Sequence, residues 1–320
     1  MQRITTPAQP GMDGRTFELP FGIGLGGTSL VNGMVYLRGL PQDYDRWQAA
    51  GASGWAYADV LDYFTRVESM AQSDDPLRGR NGPVGVGRCE ALSELNRAFL
   101  SAGSEAGFAQ SPDLNGSDPE GFGRIDYNAA GGYRSTSAYC YLENRTRRGH
   151  LTVHTDTKVL DVVFDRRAAV GVRYIDREGQ VVRSEAQGEV VLCAGALATP
   201  KLLMLSGVGP ADHLREFGVA PVADVPGVGL NLHDHVELDL QWRCPLPVTH
   251  ASLLTPWNVF LSGLRWLLFK SGPAALGQCH TGAYVRSNTG LESPNIELML
   301  FPIGFDGWVP RSDIHAFRTS

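Results

Sequence analysis

PFGIGLGGTSLVNGMVYLRG occupies residues 20–39, and its first glycines fit the G-x-G-x-x-G spacing of a dinucleotide-binding turn. Such a turn follows a buried apolar strand and opens a helix whose first amides face a pyrophosphate. Neither flank fits. Upstream, RTFELPF (residues 15–21) puts a proline and two charges where a central parallel strand is a continuous Val/Ile/Leu run. Downstream, Gly33 interrupts any helix within its second turn. Asp43 and Asp45 stand about 20 residues on, where a ribose-binding acid belongs, but DYDRW (residues 43–47) reads more simply as a short solvated helix. The glycines instead make a loop whose backbone can approach a ligand closely, with Thr28, Ser29 and Asn32 offering hydrogen bonds. A tight connection between strands is the plainer alternative.

Composition narrows the class. The 320 residues suffice for two domains, and 43% hydrophobic with 19% charged residues is the balance of a soluble globular protein. A net charge of -6 without a basic stripe gives no support to nucleic-acid binding. No run reaches the length of a membrane span; the longest candidate, residues 259–269, is broken by Ser262, Gly263 and Arg265 and reads as a buried helix. Cys89, Cys140, Cys193, Cys244 and Cys279 are odd in number and far apart, which favours reduced thiols in a cytoplasmic setting over disulfides or a zinc cluster.

Periodicity then orders the chain. Tyr57, Val60, Leu61, Phe64 and Val67 recur at helical spacing, so residues 56–68 form an amphipathic helix, and residues 92–106 repeat the pattern until Gly107 stops it. Residues 71–87, rich in Gly, Pro, Asp and Ser, read as a surface loop. From residue 151 the period becomes two, giving strands over 151–154, 159–164, 169–174, 181–184 and 190–193, with a turn at 176–179. The last strand leads into Thr199-Pro200, an N-cap followed by proline at the first helical position.

Two stretches carry a family resemblance. GLGGTSLVNGMVYLRG (residues 24–39) resembles the first signature of the glucose-methanol-choline (GMC) oxidoreductases, and GALATPKLLMLSGVG (residues 195–209) resembles the second. LNG (114–116), EGFG (120–123), RSTS (134–137) and GVGLNLHDH (227–235) follow in the family's order, and the likeness is to the choline dehydrogenase-like branch. The resemblance implies an α/β flavoprotein, with an FAD-binding (glutathione-reductase-like) domain over residues 1–54 and 151–235. An α+β substrate-binding domain would take residues 55–150 and 236–320.

By resemblance Gly26, Gly27, Thr28, Ser29, Asn32, Gly33, Met34 and Val35 contact FAD, and Val159 offers its backbone to the adenine. Ile23 stands where the family commonly has Arg or Lys. Val31 stands where some oxidases carry a histidine bonded to the cofactor, so the FAD here is expected to be noncovalent. The family's own strand-GxGxxG-helix unit precedes the first signature, and its catalytic histidine lies in a segment beyond the position of Ser320. The chain therefore resembles an internal fragment, and no catalytic residue is assigned in it.

The implied parent activity is oxidation of an alcohol CH–OH to an aldehyde by hydride transfer to flavin, with oxygen or a quinone as electron acceptor, in the cytoplasm or membrane-associated through that acceptor. Two other readings stand beside it: an inert product or a module needing a complementing chain, and a nonredox cyanohydrin-cleaving relative. His280 precedes TGAYV (281–285), where choline-oxidising relatives carry a glutamate; a neutral histidine loses the attraction for a trimethylammonium group, so an uncharged primary alcohol is the expected substrate. A hydrogen-bonded histidine lining the substrate domain is the plainer role. His233 and His235 flank Asp234, but no third ligand is predictable and no metal is expected.

Overall fold

A computed structural model describes residues 2–142, 151–306, 309–310 and 315–319. The chain forms two compact units, Met1–His150 with Glu237–Ser320, and Leu151–Val236. Residues 1–54 thus pack with residues 55–150; their assignment to one cofactor domain together with residues 151–235 concerns a bound cofactor and is taken up below.

The first unit is built on two sheets. One has five antiparallel strands in the order Leu240–Arg243, Ala316–Thr319, Ile296–Phe301, Thr281–Val285, Gly121–Arg124. All five residues of Thr281–Val285 are buried, because this strand has neighbours on both edges and cover on both faces. The other sheet runs Val35–Tyr36, Asp126–Tyr127, Val84–Arg88, Glu68–Met70, with the last pair parallel. Leu40, Leu114, Ile125, Cys279 and Tyr284 form the main buried cluster, and Val35, Leu37, Met299 and Phe301 pack against it. Each large apolar side chain taken fully from water contributes about 1.5–3 kcal/mol, so this cluster fixes the strand that follows the glycine loop.

Local signals explain the helices. Pro41 opens the helix Pro41–Ala49 at a position that needs no N–H, and the Asp43 carboxylate accepts from the Leu40 amide at 2.9 Å. Ser93 caps Glu94–Glu105 by accepting from the Asn96 amide at 3.2 Å, and Gly107, at φ +86°, ends that helix. The helix Tyr57–Val67 half-buries the apolar face that its spacing predicts.

The second unit holds the antiparallel sheet Lys158–Asp165, Ala168–Ile175, Val181–Glu185, as the period-two runs predict. Helix Gly195–Leu205 lies against it, and Ser206 Oγ accepts from the Val162 amide at 2.8 Å.

Four expectations are corrected. Residues 151–154 and 190–193 are not strands: no ladder partner lies beside either among the described residues, and Val191 is 71% exposed. A buried-strand sequence becomes a strand only where neighbours take its N–H and C=O groups. The second-signature helix begins at Gly195, not at Thr199, so Pro200 lies inside it and removes one backbone bond. Residues 71–87 are not simply a surface loop, since Ser73 and Arg78 are buried and Val84 begins a strand. Finally, helix Pro256–Phe269 contains no buried residue: Trp257, Phe260, Leu267, Leu268 and Phe269 are all more than half exposed.

Candidate functional site

The glycine loop leaves a two-stranded antiparallel hairpin, Gln2–Thr5 with Glu18–Phe21, and passes into a single 3-10 turn, Gly27–Leu30. Neither a parallel strand nor an α-helix flanks it, so it is not a pyrophosphate turn. Gly22 must be glycine: a Cβ there would lie 2.2 Å from the Gly27 carbonyl oxygen. Gly26, at φ +105°, takes a backbone conformation that side chains oppose, and a Cβ on it would press on Ser29 Oγ at 3.2 Å. At Gly27 and Gly33 the same test meets nothing within 4 Å, so the loop presents open backbone on these residues.

Two devices hold the loop. Ser29 Oγ donates to the Gly26 carbonyl and accepts from the Ser137 amide at 3.0 Å. Arg134 Nη1 donates to the Asn32 carbonyl at 2.8 Å and to Asn32 Oδ1 at 2.6 Å. Met34 sits at φ +64°, a left-handed conformation that costs a non-glycine residue about 1–3 kcal/mol and that clusters at functional sites. It persists because both sides of the residue are tied: its amide donates to Asn32 Oδ1 at 3.3 Å, and its carbonyl accepts from the Asn128 amide at 2.9 Å.

Beyond the loop, five buried charges and the partly buried Arg88 pin its exit. Glu68 accepts from Arg38, from Arg78 Nη2 at 2.6 Å and from the Gly79 amide at 2.7 Å. Arg78 Nη1 reaches Asp113 at 2.6 Å and Asp126 at 2.9 Å, and Arg88 Nε reaches Asp126 at 2.6 Å. Three guanidiniums thus meet three carboxylates. Asn115 joins this cluster to the loop strand, donating to the Tyr36 carbonyl at 2.9 Å and accepting from the Arg38 amide at 2.8 Å. Burial opposes ionisation of Asp113, but the Ser73 hydroxyl and the guanidiniums of Arg78 and Arg88 outweigh it and hold its carboxyl below the ordinary range.

The first unit also holds a cavity of about 510 Å³. Met34 and Leu276 pack on the buried trio Cys89, Tyr127 and Ala129, and Cys89 and Leu276 also line the cavity. Its polar groups include two histidines, His250 and His280, whose ring centroids are 6.1 Å apart. His280 is 5% exposed, and its Nε2 lies 2.8 Å from the Gly277 carbonyl. That nitrogen must donate, which leaves Nδ1 of the neutral ring as an acceptor. Burial pushes the His280 imidazole below its ordinary pKa, against the opposite pull of the Gly277 bond. Burial and the neighbouring His280 push His250 down to about 4. Both rings are therefore neutral near pH 7, and the free Nδ1 of His280 can accept a hydrogen bond from a donor such as a hydroxyl.

The eight loop residues fall within one short stretch of the first unit, and Met34 among them packs on the cluster that includes Tyr127, whose ring lies 6.4 Å from that of His280. Val159 belongs to the second unit, where it is 41% exposed on an edge strand. His233 and His235 stand exposed, and no group of three or more His, Cys, Asp or Glu side chains fit for a metal occurs among the described residues. His250 and the buried charge cluster were not anticipated. Arg38 inside the first signature and Asp113 beside the LNG stretch were visible as charges next to motifs, but pairing over 30 or more residues leaves no local signal.

Two observations leave room at the loop for the flat, polar group that the resemblance implies. A Cβ-free backbone lies open at Gly27 and Gly33, and Asn128 Oδ1, one residue from Tyr127, is buried without a hydrogen-bond partner among the described residues.

Comparison with known proteins agrees. A family model described as GMC oxidoreductase matches residues 5–237. An oxygen-dependent choline dehydrogenase of Brucella anthropi is 40% identical over 306 residues, covering 95% of this chain and 55% of the relative. The mitochondrial choline dehydrogenase of Homo sapiens is 40% identical over 297 residues, covering 93% of this chain and 50% of the relative. The crystal structure of pyridoxine 4-oxidase from Mesorbium loti superposes with a TM-score of 0.82 at 27% identity, over 99% of this chain and 59% of that one. A formate oxidase superposes with a TM-score of 0.87 at 20% identity over 99% of this chain, which shows a common α/β fold. The chain spans about half the length of the curated relatives it matches. With the signatures, the fold and these relatives in agreement, the chain belongs to the GMC oxidoreductase family.

Proposed function

We propose that this chain forms the flavin-cradling loop and the alcohol pocket of an FAD-dependent oxidoreductase that converts an alcohol CH–OH group to an aldehyde. The observation that carries this reading is the shared packing of Met34 and Leu276 on Cys89, Tyr127 and Ala129, which sets the loop's exit against the two-histidine cavity. FAD, when bound, supplies the hydride acceptor. Residues 26–29 and 32–35, in the first unit, hold its flavin end, and the backbone at Val159, in the second, is the part assigned to the adenine. Val31 provides no attachment atom, which makes the cofactor noncovalent.

In the pocket, Nδ1 of His280 accepts a hydrogen bond from the alcohol hydroxyl and orients it. A neutral ring in an apolar cavity favours an uncharged primary alcohol over choline. Oxygen or a quinone reoxidises the flavin, and the cytoplasm is the setting that five unpaired thiols favour. Activity requires a proton acceptor that is not assigned among these residues. The exposed Val191, in a segment without a strand partner, supports a module completed by further polypeptide.

The test is the flavin-to-protein ratio after incubation with FAD and desalting, compared between the native sequence and Gly26→Val. The 320-residue chain alone is expected to retain little flavin, and the whole gene product close to one per chain. Retention unaffected by Gly26→Val in the whole product rejects the loop assignment.

A further inference from the structure

Helix Pro256–Phe269 ends on Lys270, which caps it at φ +52°, in the left-handed conformation that glycine commonly supplies at a helix end. Glycine would take that conformation without strain, so the lysine is there for its side chain. Its ammonium lies 4.1 Å from the ring centroid of Trp266, one helical turn earlier, and 5.2 Å from that of Tyr133, both within the range of cation–π attraction. The two rings meet edge to face at 6.0 Å.

Backbone closes the same corner. Tyr133 belongs to a small hairpin, Ala129–Ala130 with Tyr133–Arg134, whose two-residue turn is Gly131-Gly132, both at positive φ as such a turn requires. Trp266 Nε1 donates to the Gly132 carbonyl at 2.6 Å, and a Cβ on Gly132 would lie 2.3 Å from the Lys270 carbonyl oxygen. Hairpin and helix end therefore meet along a seam that admits no side chain at position 132.

Each side of the seam leads to one half of the proposed site. On the helix side Val259, Ser262 and Gly263, and beyond the cap Pro273 and Leu276, line the two-histidine cavity. On the hairpin side Arg134 holds Asn32, and the Ser137 amide, three residues on, holds Ser29. Tyr133 also stacks at 6.2 Å on Tyr139 of the helix Ser137–Tyr141, which ties both grips to one aromatic pair.

We propose that Trp266 and Lys270 are positioning residues: they clamp the hairpin that holds residues 26–34, and so fix the glycine loop against the wall of the cavity. They act through Gly132, Tyr133 and Arg134. The inference rests on the assignment of that loop to flavin and of that cavity to the alcohol. A misplacement of about 1 Å between reacting groups costs on the order of a hundredfold in rate, which is what such a tie guards against.

Hydrogen exchange at the amides of Ser29, Val31 and Asn32, which are bonded within the loop, tests the clamp in the whole gene product, together with flavin retention after desalting. Trp266→Phe keeps a ring but removes the Nε1 donor; loop exchange and loss of flavin should each quicken roughly two- to tenfold, the worth of one hydrogen bond. Lys270→Met, which keeps the length without the charge, should act in the same direction, whereas Lys270→Arg keeps a cation over both rings and should stay near native. The visible flavin band should shift in Trp266→Phe. Leu267→Ala, on the exposed side of the same helix, should change neither exchange nor band. Loop exchange unchanged in both Trp266→Phe and Lys270→Met overturns the clamp, whatever happens to the flavin. Equal quickening in Leu267→Ala overturns it too, because the helix as a whole and not this contact then steadies the loop. Quickened exchange with flavin retention indifferent to both Trp266→Phe and Gly26→Val confirms the clamp and rejects the flavin assignment.

Discussion

Arg134 grips Asn32 twice, through the backbone carbonyl and the side-chain oxygen, and the same Asn32 oxygen accepts from the Met34 amide. The left-handed Met34 is therefore held by a residue one hundred positions away, and RSTS at 134–137 is as much part of the loop as the glycines are. Arg134→Ala should release the loop locally, at a cost of about 1–3 kcal/mol for two bonds to a charged group. Arg134→Lys should recover only part of this, because a point charge cannot reproduce the guanidinium's fixed donors. Proteolysis within residues 22–33 should accelerate several-fold in Arg134→Ala at a nearly unchanged thermal midpoint. Unchanged cleavage would show that the loop holds itself.

The buried charges make a larger prediction. Glu68 is fully buried and serves two arginines and one amide, so Glu68→Ala strands guanidiniums without a counter-charge. Breaking a buried pair from one side costs about 3–5 kcal/mol. Removing Glu18 from its exposed partner Arg3 should cost about 1 kcal/mol or less. Urea midpoints of the two variants discriminate; similar midpoints would mean that solvent reaches Glu68.

Acid should weaken the first unit in two stages. His250 has its folded pKa depressed to about 4, so below the unfolded value, about 6.5, the unfolded chain binds the extra proton and stability falls as pH drops. His280 adds to this window in the same direction. Asp113 is depressed as a carboxyl, so its contribution is present above the unfolded value of about 3.9 and disappears as pH falls through its folded pKa. Chemical denaturation at pH 7, 5 and 3 should show both losses, and His250→Gln should flatten the first while sparing the second. A slope between pH 7 and 5 that survives removal of both histidines would locate that linkage elsewhere.

How much of this was legible depended on range. The helices at 41–49, 57–67 and 94–105 and the three-stranded sheet at 158–185 follow from spacing, proline, capping residues and glycine within a few positions. The flanks of the first glycine loop ruled out a pyrophosphate turn, and the structure agrees through its hairpin and 3-10 turn. Residues 190–193 failed as a strand because a buried parallel strand is a property of its neighbours and not of its own composition. Residues 71–87 failed as a surface loop because Arg78 is neutralised by Glu68, Asp113 and Asp126, and composition alone cannot tell a solvated arginine from one with three carboxylates waiting. Residues 259–269 were correctly helical and wrongly buried: apolar content fixes the need for a partner, but not which side of the helix the protein occupies. His280 was singled out through resemblance, while His250, thirty residues earlier in an unremarkable stretch, needed the three-dimensional cavity to be noticed.

That pairing of histidines can be examined without cofactor or substrate. His280→Glu places a carboxylate where a neutral ring now stands, 6.1 Å from the His250 ring. Coulomb attraction favours the imidazolium, and loss of the second imidazole removes a like-charge penalty, so both effects raise the His250 pKa. A rise of about one pH unit or more from the present value near 4 is expected, read from the imidazole proton shifts in an NMR titration. His280→Gln, which keeps a polar group but no charge, should raise it much less. His280→Glu should also let the cavity hold a small quaternary ammonium ion more tightly than the native pocket does. If the His250 titration is indifferent to a carboxylate at position 280, the two rings do not share one pocket, and the assignment of His280 to the substrate falls with it.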